Sequence, residues 1–123
     1  MARAPYQSRY CRKASHLAKG LSFEARVAEY FARRGCVVVR QQRSQFPDIV
    51  VLAPDPDNPA YPLVLFVECK TRGVYGNGAA NLREDEVERA QLLLDRVPNS
   101  RFYLAFPRGE KIILVDLTSQ LLE

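Results

Sequence analysis

Leu63-Val64-Leu65-Phe66-Val67-Glu68-Cys69-Lys70-Thr71-Arg72 is the stretch on which the fold turns. Its apolar half shows no alternation, which suits a central strand buried on both faces rather than one with a wet side. The run then breaks abruptly into charge. Side chains alternate along a strand, so Glu68 and Lys70 project to one face and Cys69 to the other. A carboxylate and an ammonium thus leave the apolar core side by side. Alone, Glu-x-Lys also suits a strand entering water with a surface ion pair worth little.

Outward from this strand the elements alternate in kind. Upstream, Asp48-Ile49-Val50-Val51-Leu52 reads as a strand with Pro47 at its first residue, and Cys36-Val37-Val38-Val39-Arg40 as another. Ala53–Pro62 is a proline-rich loop with no regular structure expected. Before these, Ser22 is an N-cap for a helix carrying Phe23, Val27, Tyr30 and Phe31 on one face and ending at Gly35. Downstream, Gly73–Ala80 holds three glycines and reads as a hinge that moves. Asn81, with Glu84 three residues on, makes a capping box for a second helix stopped by Pro98. Arg101–Phe106 and Lys111–Val115 form two more strands around a Pro107–Glu110 turn. The expectation is a single-domain α/β fold, residues 21–123, with a mixed β-sheet flanked by helices, preceded by a flexible basic arm over residues 1–20.

At 47% hydrophobic and 26% charged, 123 residues are enough for one core, and no apolar run nears the roughly 18 residues of a membrane span. The start of the chain has basic residues without an apolar stretch after them, so no signal peptide is expected and the compartment expected is the cytoplasm. His16 is the one histidine, and Cys11, Cys36 and Cys69 show no paired spacing, which rules out most zinc chemistry. Any metal would be a hard cation on carboxylates. Charge is uneven: residues 1–43 carry ten basic and two acidic side chains, a net +8, and the other 80 carry eight basic and twelve acidic, a net −4. A basic leading third suits a polyanion, nucleic acid above all.

The chemistry gathers around Pro47-Asp48 and Glu68-x-Lys70. If the strands of Asp48 and Glu68 pair as an antiparallel hairpin, the start of one meets the end of the other, and the two carboxylates can share Mg²⁺. Lys70 beside them can orient or deprotonate a water and offset charge on a phosphate. These are the parts that phosphodiester hydrolysis requires.

Pro-Asp followed by Glu-x-Lys in an α-β-β-β-α-β order resembles the PD-(D/E)XK nuclease superfamily, which implies a restriction-endonuclease-like core. Within it, Lys19-Gly20 with Glu24 four residues after the glycine, Val38-Val39-Arg40, Ser44, Asp48, Glu68 and Lys70 resemble the archaeal-type Holliday-junction resolvases over residues 19–72. The resemblance implies Glu24, Ser44, Asp48, Glu68 and Lys70 as catalytic residues, with Glu24, Asp48 and Glu68 on Mg²⁺ or its substitute Mn²⁺. It implies Lys19, Arg40, Arg43 and Arg72 as DNA contacts, a four-way DNA junction as substrate, and a homodimer with no membrane partner. The setting implied is the nucleoid, or an infected host cell if a virus encodes the chain. Gln91 would approach the site, against its plainer reading as a surface glutamine. Two departures stand out: Ala25 replaces the usual arginine after Glu24, and the Ala53–Pro62 loop is long. Phe66–Arg72 also resembles a family of small bacterial nucleases, and a DNA-binding module without turnover is the further alternative. Aromatic platforms for stacking RNA bases are missing.

Overall fold

The computed structural model describes residues 22–42, 45–76 and 78–123. The expected basic arm with His16 and Lys19, and also Arg43, Ser44 and Asn77, lie outside the described residues. Helix α1 spans Phe23–Ala32, followed by strands β1 (Val37–Arg40), β2 (Ile49–Ala53) and β3 (Leu63–Cys69). A short 3-10 turn (Ala79–Asn81) leads into α2 (Glu84–Arg96), then β4 (Ser100–Arg108), β5 (Lys111–Asp116) and α3 (Thr118–Leu122). The strands form one five-stranded mixed sheet in the order β1-β2-β3-β4-β5. All neighbours are antiparallel except β3 and β4, which run parallel across the α2 crossover.

Because β3 is central and apolar on both sides, it organises two cores. Leu65 and Val67 pack with Ile49, Val51 and Ala105 under Phe23, Val27 and Phe31 of α1. Phe66 packs on the other face with Phe102, Leu104, Ala90 of α2, and Leu117 and Leu121 at α3. The result is a helix–sheet–helix sandwich. Ser22 caps α1 as expected, its hydroxyl accepting from the Ala25 N–H at 3.2 Å. The helix stops at Ala32, earlier than Gly35, whose φ of +83° turns the chain into β1.

Three local expectations need correction. Asn81 does not cap α2. Its side chain instead bonds the Tyr75 N–H and the Tyr75 and Gly78 carbonyls, and the helix starts two residues later with Arg83 as N-cap and Glu86 at N3. β4 runs on to Arg108, which narrows the Pro107–Glu110 turn to Gly109 and Glu110. α3 is unexpected. It is one turn of helix, held because the Thr118 hydroxyl accepts from the Phe102 N–H at 2.8 Å and because Leu117 and Leu121 are buried.

Phe102 is fully buried on the α2 side, its ring stacked on Phe46 at 5.6 Å. Phe102→Ala should lower unfolding free energy by about 3–5 kcal/mol in urea titration, whereas Val39→Ala on the exposed part of β1 should change it by less than about 0.5.

Candidate active site

The β2–β3 register sets the site. Ile49 pairs with Val67, so Asp48, one step before β2, falls beside Glu68 near the end of β3. The antiparallel hairpin expected from the sequence is present, and main-chain hydrogen bonds lock both carboxylates. Asp48 Oδ2 accepts from the Cys69 N–H at 2.9 Å, and Glu68 Oε1 accepts from the Asp48 N–H at 3.2 Å. Each acid is thus fixed by the backbone of the other's strand, at little cost in side-chain entropy on binding a ligand.

Lys70 lies one alternation beyond Glu68, its N–H still donating to the Ala105 carbonyl at 2.9 Å. Its Nζ is 3.6 Å from Glu68 Oε2. A closer partner comes from α2: Glu86 takes the ammonium on both oxygens, at 3.0 and 3.1 Å. Glu86 is buried and also accepts from the Arg83 N–H at 3.0 Å, closing the helix cap. One carboxylate therefore starts a helix and holds the site lysine. The sequence reading missed Glu86 because it placed the helix start too early. The signal was present in Glu84-Asp85-Glu86, where only the third acid stands at N3 of a helix beginning after Arg83.

Glu68, Glu86 and Cys69 titrate differently for physical reasons. Burial pushes Glu68 up, and the negative charge of Asp48 adds to this, with Lys70 opposing, so its pKa rises to about 8. Burial also pushes Glu86 upward, but the Arg83 N–H, the Lys70 hydrogen bonds and the two cations outweigh it and hold Glu86 below the usual carboxylate range. The Cys69 thiol is raised by burial and then by the charges of Asp48, Glu24 and Glu68, while Arg40 opposes them.

That last influence brings Glu24 within electrostatic reach of the same sheet end. Glu24, from the first turn of α1, pairs with Arg40 at 3.4 Å. Asp48, Glu68 and Lys70 thus come together directly, while Glu24 and Arg40 form a second pair at their edge. Arg72 is exposed beyond Lys70. Gln91 is turned away, donating to the Leu121 carbonyl at 2.8 Å and joining α2 to α3.

Two buried-edge carboxylates crowding negative charge suit a hard divalent cation, which is held through one or two carboxylates and keeps several waters. Asp48 and Glu68, locked side by side, are the donors that fit such an ion, and no group of three or more His, Cys, Asp or Glu side chains able to share one occurs among the described residues. No helix among the described residues is long and apolar enough to cross a membrane.

Glu68 keeps a proton in the folded chain up to pH about 8 that an ordinary carboxylate has lost by about 4.5. Its contribution to stability is therefore full below about 4.5 and is lost as pH rises towards 8. In divalent-free buffer, Glu68→Gln should flatten the fall in urea midpoint between pH 5 and 8. Glu86→Ala leaves Lys70 without its nearest partner and should destabilise by about 3 kcal/mol, with Glu86→Gln milder because the amide oxygen still accepts from Arg83; thermal unfolding at pH 7 measures both.

No protein-family model and no curated protein matches this chain.

Proposed function

We propose that the protein is a Mg²⁺-dependent, structure-selective DNA endonuclease of restriction-endonuclease-like fold that resolves four-way junctions. The observation that carries this reading is the Asp48–Glu68 pair, locked across antiparallel strands with Lys70 3.6 Å from Glu68. The α-β-β-β-α-β order and the Pro47-Asp48 and Glu68-x-Lys70 motifs support the same superfamily. Lys19-Gly20, Glu24, Arg40 and Ser44 at resolvase-like spacing support the narrower substrate.

Asp48 and Glu68 would hold Mg²⁺ or Mn²⁺, with Glu24 as the further acid of this set. When bound, the cation supplies Lewis-acid polarisation of the phosphodiester and a more acidic water. The chain's own part is positional. The Cys69 and Asp48 N–H groups fix the carboxylates, and Glu86 fixes Lys70 at the mouth of the site. From there the ammonium offsets charge gathering on the phosphate and orients the attacking water. Arg40 and Arg72, with Lys19 and Arg43, contact backbone phosphates, so that junction shape outweighs base sequence. Cutting two opposed strands of a nearly two-fold substrate calls for two sites, which an isologous homodimer supplies.

End-labelled four-way junction, linear duplex and single strands, each with and without Mg²⁺, test this. Paired symmetric nicks in the junction alone, lost in Glu68→Ala and Asp48→Ala with junction binding within about threefold of the parent, are expected. Cutting of every substrate would make the protein a general nuclease with the same site. Tight junction binding without cutting under either metal would leave a DNA-binding module.

A further inference from the structure

A cationic cleft adjoins the site. β3 and β4 are the parallel pair of the sheet, joined as far as Cys69 and Ala105 with the Lys70 N–H donating to the Ala105 carbonyl. Gly73, with φ +68°, turns the chain after β3 away, while β4 continues to Arg108. A crevice opens where the two ends part, as it does outside the carboxyl ends of parallel strands generally. Here it is a cleft of 520 Å³ walled by Lys70, Arg72 and Gly73 on one side and by Phe106, Pro107 and Arg108 on the other. Lys70 belongs to both the cleft and the candidate active site.

Glu86 and Glu68 offset the charge of Lys70, but the two arginines of this cleft have no such partner. No carboxylate lines it among the described residues. The other arginines near the site are already engaged: Arg40 by Glu24, and Arg83 by Asp85 and Glu86. Arg72 makes no hydrogen bond or ion pair with the described residues, and the contact of Arg108 is with the Phe106 ring, 5.9 Å from its centroid. The register that sets Glu68 beside Leu104 gives Phe106 and Arg108 the face of Glu68, Lys70 reaches Glu86 of α2 just past the end of β3, and Arg72 lines the cleft from the bend that follows. Two guanidiniums without a carboxylate partner thus line one groove, beside an ammonium already held by Glu86. Their mutual repulsion is relieved by an anion, and guanidinium forks match phosphate oxygens in pairs.

We propose that this cleft is a phosphate-binding groove for the DNA backbone running on from the scissile phosphate, with Arg72 and Arg108 as its contacts. The inference rests on the nuclease reading above and deepens it. It assigns the strand a path from Asp48 and Glu68, past Lys70, to the β4–β5 turn, and it adds Arg108, which no motif in the sequence marks.

Binding without chemistry tests it. Four-way junction and linear duplex are titrated in EDTA against the parent chain, Arg72→Gln, Arg108→Gln and the double variant. The control is Arg96→Gln, an exposed cation in the last turn of α2 at the opposite end of the sheet. Each cleft substitution should weaken binding about three- to tenfold and lower the slope of log affinity against log salt by about one, with the double variant losing about two. Arg96→Gln should match the parent, and far-ultraviolet circular dichroism should be alike for all. Cleft variants that bind with the parent's affinity and salt slope would overturn the groove while leaving the nuclease reading intact. A parent chain that neither binds nor cuts DNA would instead overturn the nuclease reading, and this inference with it.

Discussion

Asp48 and Glu68 are each held by the main chain of the other's strand, Asp48 by the Cys69 N–H and Glu68 by the Asp48 N–H, and much else in the molecule exists to keep that exchange in register. A one-residue slip of β2 against β3 would turn Ile49 and Val51 out of the α1 core and carry Asp48 away from the Cys69 N–H. The apolar pattern and the polar lock therefore protect each other. Burying two acids together is costly: burial and the charge of Asp48 raise Glu68 to about 8 even with the Lys70 ammonium opposing. A fold that kept such a pair for packing alone would gain from replacing it with apolar residues.

The sandwich also divides labour between its faces. α1 brings Glu24 and Arg40 together from one side of the sheet, and α2 brings Glu86 to Lys70 from the other. The sheet end between them receives charge from both layers. Strand β3 achieves this through alternation: Cys69 faces α1 and Lys70 faces α2. The far end of the sheet is closed in a different way, with Asn99 tying the proline-rich loop through Asp55 and the Pro62 carbonyl.

The elements whose signal is local and periodic were legible in the sequence. The unbroken run from Leu63 to Val67, the face of Phe23, Val27 and Phe31, and the alternation of Glu68 and Lys70 each state their geometry within a few residues. The juxtaposition of Asp48 with Glu68 was legible too, because a hairpin fixes which ends meet. The lysine's nearer partner was not, since Glu86 reaches Lys70 through tertiary packing and reads locally as one of three acids opening a helix. α3 was hidden for the opposite reason: one turn with two leucines is too short to show a period. Arg108 looked like a turn residue because the β4–β5 pairing that keeps it in a strand depends on β5 lying alongside.

Glu86 is at once the N3 residue of α2 and the anchor of Lys70. Helix termini fray on fast timescales, and each opening of this first turn releases the ammonium from its nearest carboxylate. Opening the helix start and freeing the charge are thereby one event, since the same carboxylate serves both. A substitution in the first turn of α2 would therefore act on the helix start and on the setting of Lys70 together.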